Sequence, residues 1–216
     1  MLVPQLAGAA AAEIADMREA VIAAAASLPP RWIAVGAGRA DSVVGPIHVG
    51  TFAGFGVELP VRLTSSAAGP PAELPLCALM TAWVREQAQP EASAEVHVYA
   101  ADHHVDAALV RGRQLRAEID QVAEPTGVLI VADGANTLTA AAPGGYQPRD
   151  SEVQLALDDA LASGDLAALA RLPGQVVGRV PLQVLAGLAE PAPRSAKELY
   201  RGAPYGVGYF AGIWQP

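Results

Sequence analysis

The stretch GVLIVADGANTLTAAAPGGYQPRD, residues 127–150, decides how the chain folds. Residues 128–131 are a continuous apolar run of the length a buried strand needs. The Asp133-Gly134 pair ends it, because both residue types favour tight turns. A short helical piece is expected next, then a loop at Pro143-Gly144-Gly145-Tyr146, then a helix capped by Asp150. In open α/β sheets, ligands bind outside the carboxyl ends of strands. The corner after residue 131 therefore stands where chemistry is expected. It offers one acid, Asp133, and no histidine, cysteine or lysine.

Working outward, strand and helix signals alternate. Residues 8–28 are alanine-rich, with Ile14, Met17, Val21 and Ile22 at helical spacing, and Pro29-Pro30 closes that helix. A short strand is expected over 32–35 and a glycine-centred β excursion over 42–63. After a linker at 65–71 come a helix over 74–88, a strand over 94–100 and a helix over 104–122. Beyond the central stretch, helices are expected over 151–162 and 166–172, each opened by an aspartate (Asp150, Asp165) that can accept from free backbone N–H groups. A helix over 181–188 and strands over 198–200 and 207–213 finish the chain. The pattern predicts an α/β fold: a three-layer α/β/α sandwich around a mixed, mainly parallel sheet, mixed because the two terminal strands can pair. The length, 216 residues, fits a single domain over 1–216.

Composition excludes several function classes. With 14 basic and 22 acidic residues the net charge is −8, and no positive patch is dense enough for nucleic acid. Arg111, Arg113 and Arg116 read as a solvated helix face, since Glu118 and Asp120 lie nearby. No apolar run approaches the ~20 residues that span a bilayer. The alanine-rich start lacks a basic leader and is interrupted by Glu13, Asp16 and Glu19, so it is expected to be a helix of the mature protein. The single cysteine, Cys77, excludes an intrachain disulfide and points to a reducing, cytoplasmic setting. It lies in an apolar helical stretch and reads as a small buried hydrophobe.

The motifs are sparse. VGAGRAD, residues 35–41, contains Gly-x-Gly after a strand, but lacks the third glycine and following helix of a dinucleotide site. GTFAGFG, residues 50–56, lacks the Gly-Lys-Ser/Thr of a phosphate loop. There are four histidines: His48, His97, His103 and His104. His97 alternates with Val96 and Val98 and is expected on the opposite side of the sheet from them. His103 and His104 follow Asp102 at a strand end. Adjacent histidines diverge in most backbone conformations, so Asp102 as a helix cap, with the histidines in the first turn, is the simpler reading. His48 could approach a cleft from the β excursion. Asp133 is the best-placed catalytic candidate and His104 the second; as a turn residue, Asp133 would instead bond nearby backbone N–H groups. His48, His103, Asn136 and Tyr146 are the expected cleft-lining residues.

VLIVADGANTL…APGGYQPRD resembles the strand, corner and loop of the class III extradiol ring-cleavage dioxygenases, in particular the catalytic-subunit-like (LigB-like) proteins of actinobacteria. LYRGAPYGVGYFAGIW, residues 199–214, resembles their C-terminal hairpin, and LVPQLAG, residues 2–8, the segment after their first metal-binding loop. The resemblance implies Fe(II) held by two histidines and a glutamate, with a further histidine for proton transfer. This chain departs from that pattern. It begins at Met1-Leu2-Val3-Pro4, so the loop carrying the first ligand would precede Met1. Gly36-Ala37-Gly38 stands where the second ligand is expected. Ala135-Asn136 replaces the serine and histidine of the proton-transfer corner, and Val176-Val177-Gly178 has no carboxylate at the glutamate region.

Three readings follow. The first is a diverged dioxygenase-like protein without the iron site, keeping a cleft for a small, aromatic ligand and expecting no cofactor. The second is an active non-haem oxygenase whose rearranged Fe(II) site uses His48, His103 or His104 with Asp102 or Asp133. The third is a structural or interaction protein, a homo-oligomer through its alanine-rich helices.

Overall fold

The computed structural model describes residues 2–216. The chain is an α/β protein whose main sheet is mixed and mostly parallel, as its alternating strand and helix signals require. It divides into two compact units: Met1–Ala101 with Val122–Val131, and Asp102–Gln121 with Ala132–Pro216.

The first unit contains α1 (Pro4–Ala7), α2 (Ala15–Ala26), β1 (Arg31–Gly38), β2 (Ser42–Val44), β3 (Val49–Thr51), β4 (Pro60–Arg62), α3 (Leu76–Ala88), β5 (Ser93–Ala100) and β6 (Thr126–Val131). The single helix expected over 8–28 is broken. Gly8 leaves α1 at φ +56°, a 3₁₀ turn follows over Gly8–Ala12, and only then does α2 begin. The positive φ of Gly8 is a backbone conformation that glycine adopts without penalty.

β1 is central and is the most buried strand of the sheet: Trp32, Ala34 and Val35 are almost wholly buried. The sheet order is β2-β5-β1-β6. β5 and β6 run parallel to β1, with Val35 opposite His97 on one side and Ile130 on the other. The antiparallel member is β2, which places Val43 opposite His97. His97 turns away from buried Val96 and Val98, as the alternation predicts, and its Nε2 lies 2.9 Å from Glu95 Oε1. The excursion after β2 closes as an antiparallel β3–β4 ladder with Val49 opposite Arg62.

α3 lies against the sheet where β1 has no side chain: a Cβ on Gly36 would stand 2.3 Å from Cys77 Cβ. Cys77 is buried there, and burial pushes its thiol up to about 11. At the other end of α3 the guanidinium of Arg85 is only 2% exposed. Its Nε donates to the Arg62 carbonyl at 2.9 Å, and its Nη1 donates to the carbonyls of Pro90 and Ala92. One side chain thus ties the end of β4 to the turn that enters β5.

The second unit contains α4 (Val105–Asp120), α5 (Asp150–Ser163), α6 (Leu166–Ala170), α7 (Arg179–Leu188), β7 (Ser195–Gly202) and β8 (Tyr209–Gln215). α4 and α7 touch backbone to backbone at Gly112 and Gly187. The terminal strands do pair, but with each other: β7 and β8 form their own antiparallel ladder, with an irregularity between Glu198 and Tyr200. The sheet of the first unit owes its mixed character to β2 instead.

Three local expectations are corrected. Asp165 caps α6 as expected, accepting from the Ala168 amide at 2.9 Å. Asp150 does not cap α5; it is the first residue of that helix, Arg149 holds the cap position, and the Asp150 carboxylate accepts from Thr137 Oγ1 at 2.6 Å. Asp102 does not cap α4; that position belongs to His104, whose Nδ1 faces the Asp106 amide at 3.4 Å. The helical piece expected after the Asp133-Gly134 corner is absent, and the chain from Ala132 to Pro148 runs as turns and bends. Among the described residues no helix is long and apolar enough to cross a membrane.

Candidate functional site

The corner at Asp133 is built by backbone pairing inside the second unit. The Gly178 amide donates to the Asp133 carbonyl at 2.7 Å, and the Val177 amide to the Gly134 carbonyl at 3.1 Å. On the other side the Gly134 amide donates to the Gly208 carbonyl at 3.0 Å, and the Gly208 amide returns a bond to the Ala135 carbonyl at 2.8 Å. The Leu138 amide then donates to the Gly206 carbonyl at 3.0 Å. Two segments distant in sequence therefore fix one short loop.

The approach is too close for side chains. A Cβ on Gly134 or Gly208 would stand 2.1 or 2.0 Å from Gln154 Oε1. Gln154 is buried between them, and its Oε1 accepts from the Ala135 amide at 2.8 Å. Its Nε2 donates to Asp158 Oδ1 at 2.8 Å. Asp150, Gln154 and Asp158 form a buried polar stripe along one face of α5, at the i, i+4 spacing that aligns side chains on a helix.

Water reaches the side chain of Asp133, yet the surrounding protein removes enough hydration to raise its carboxyl above the ordinary aspartate range. Tyr209 stands near it. Burial first, then the charge of Asp133 and the neighbouring phenol of Tyr205, push the Tyr209 hydroxyl up to about 12. Tyr205 is the one residue other than glycine with positive φ among those described, at +58°. For a tyrosine this is a strained conformation, of the kind that collects at functional sites. Proline before it and buried Gly206 after it hold it there. Tyr205 is exposed, where it can meet a ligand.

The other sequence candidates are distributed as follows. Asn136 packs against Gly144, whose amide donates to the Asn136 carbonyl at 2.9 Å. Tyr146 is exposed on the same loop, which the Thr137–Asp150 bond closes. His103 is half-buried just before α4, and His104 is exposed and spent on capping. His48 belongs to the first unit, where it is exposed with Nδ1 2.9 Å from the Gly45 carbonyl oxygen. Among the described residues no group of three or more His, Cys, Asp or Glu side chains could hold a metal ion. The iron implied by the dioxygenase resemblance does not fit this donor set.

Tyr205, Tyr209 and Gln154 escape a reading of the central stretch because they lie far along the chain. Their signals are a cluster of glycines around Tyr205 and three polar residues spaced at 150, 154 and 158, every fourth position along one helix.

The fold defines the chain as an α/β protein with this glycine-clamped corner. No protein-family profile and no curated protein matches the sequence. Over 92% of its length the chain is similar to a crystal structure of the uncharacterized protein JW3007 from Escherichia coli K12, covering 91% of that chain with a TM-score of 0.57 and 11% identity. A likeness at that identity concerns the fold alone.

The raised carboxyl of Asp133 has a thermodynamic consequence. The folded protein holds that proton more tightly than the unfolded chain does. The resulting stabilisation is complete below the ordinary aspartate value of 3.8 and is lost as pH rises through the elevated one. At neutral pH the ionised group therefore counts against the fold. Asp133→Asn is expected to melt above wild type near pH 7, with the gap closing as pH falls toward 4. A gap unchanged across that range in thermal scans would contradict the assignment.

Proposed function

We propose that this chain is a diverged relative of the class III extradiol dioxygenases that binds a small aromatic compound at the Asp133 corner and does not cleave it. The observation that carries this reading is a solvent-reached carboxyl, Asp133, on a loop clamped from both sides and close enough to the phenol of Tyr209, at the start of β8, for its charge to be felt there. A ligand hydroxyl or amine can donate to Asp133. Its ring can lie against Tyr205 or Tyr146, both exposed on the same unit, because aromatic faces favour offset or edge contacts with one another. The empty ligand positions, Gly36-Ala37-Gly38, Ala135-Asn136 and Val176-Val177-Gly178, support binding without ring cleavage.

The test uses purified protein, assayed for metal and then titrated with catechol. Concentration-dependent thermal stabilisation of metal-free protein, lost in Asp133→Ala, is the expected result, since a ligand preferring the native state must stabilise it. Stoichiometric iron together with ring-opened product under air would replace this reading with an active oxygenase. Absence of any thermal response would remove the aromatic ligand.

A further inference from the structure

α5 has a second side that the Asp133 corner does not use. With α6 and the chain that leaves it, this side walls a groove of about 390 Å³. Val153, Ala156 and Leu157 line it from α5, and Ala168, Leu172 and Pro173 from the other bank. One acid, Glu152 in the first turn of α5, and one base, Arg171 at the end of α6, complete the lining. Both are exposed, and neither has an ion-pair partner among the described residues. On the same helix Leu155 stands 56% exposed. We propose that this groove is a homodimer interface. A second copy of the chain docks there about a two-fold axis, with α5 against α5. Each Glu152 meets the partner's Arg171, and each Leu155 covers the partner's apolar floor.

Two features select this occupant. The first is charge. A two-fold contact joins one patch to itself, so the patch must be its own complement. An unpaired acid on one bank and an unpaired base on the other meet that condition, because the rotation reverses the order of the banks and sets each charge against its opposite. A patch of a single sign would repel its copy. The chain's net charge of −8 acts at longer range and is screened beyond about 10 Å at about 0.1 M salt. The second feature is shape. The groove is broad and open, whereas a small-molecule site encloses most of its ligand. Ala156, on the exposed side of α5, lets a second helix come close. Leu155, one position before it, supplies apolar surface that docking removes from water. None of this depends on what binds at the Asp133 corner.

Sedimentation equilibrium of the full chain over a concentration series tests the interface. Wild type is expected to approach twice the chain mass. Glu152→Arg and Arg171→Glu each turn the pairs across the axis into like charges, and each is expected to weaken association about tenfold or more. The double variant exchanges the two signs and is expected to recover wild-type association. Leu155→Ser is expected to weaken the dimer as well. Glu118→Arg on α4 shifts the net charge as Glu152→Arg does and is expected to leave association unchanged. All four positions are exposed, so each variant is expected to keep the wild-type far-UV circular dichroism. A chain that stays monomeric at every concentration overturns the proposal and leaves the groove to a different protein. A dimer that survives either charge swap overturns it too, as does a double variant that fails to recover what the single swaps lose.

Discussion

Arg85→Met is expected to cost about 3 kcal/mol of stability, and a Tm lower by about 10 °C for a chain of this length. Methionine keeps much of the apolar stem and removes the donors. The guanidinium satisfies the carbonyls of Arg62, Pro90 and Ala92; Arg85 and Ala92 are buried, while Arg62 and Pro90 are exposed residues. Each buried carbonyl left without a partner costs roughly 1–3 kcal/mol. The loss is tempered because burial already works against the charge: Arg85 is held below its ordinary value by desolvation, with Glu86 at 3.6 Å partly restoring it. A neutral replacement therefore recovers some desolvation cost, and water can serve the carbonyls of the exposed Arg62 and Pro90, which keeps the expected loss near that of the buried Ala92 carbonyl and one partner more. Arg85→Lys should fall between, because one ammonium on a flexible stem cannot reproduce the planar fork. Urea melts of the three proteins decide it. A methionine variant within 1 kcal/mol of wild type would mean that water replaces the lost donors.

Gly112→Ala opposes two terms of known sign. Helix propensity alone favours alanine by about 1 kcal/mol in the interior of α4. Against that, the new Cβ would stand 2.1 Å from the Val184 carbonyl oxygen and 2.6 Å from the Leu188 amide nitrogen. Both are backbone atoms of α7 and cannot rotate away, so the helices must separate. Overpacking of this kind costs about 1–3 kcal/mol or more, and the interface reciprocates at Gly187, where a Cβ would stand 2.2 Å from the Leu109 carbonyl oxygen. A net loss of about 2 kcal/mol is expected. If equilibrium denaturation shows the variant more stable than wild type, the two helices are not in backbone contact in solution.

The regular elements were the legible part of this chain. β1 and β6 announce themselves as short apolar runs and β5 by alternation, and the alternation of His97 with Val96 and Val98 survives in the structure. Capping was half legible. Asp150 and Asp165 look alike, each before an apolar run, yet Asp165 caps and Asp150 does not. The difference is tertiary: Thr137 claims the Asp150 carboxylate from another part of the loop. At Asp102 the competition is local, and the helix starts after His104 because that residue supplies the extended backbone and the acceptor. The corner itself was visible from Asp133 and its position after a strand. What holds it was not, because Gln154, Gly178 and Gly208 come from three other segments, and their meeting depends on contacts that no local pattern encodes.

The lone thiol behind β1 gives the molecule a clock. Cys77 sits against Gly36 with its proton held well above neutrality, so an alkylating reagent finds neither access nor thiolate while α3 stays docked. Labelling must wait for that helix to lift. With no second sulfhydryl to confuse the count, the rate at which a maleimide adds to the native protein measures how often this part of the fold opens.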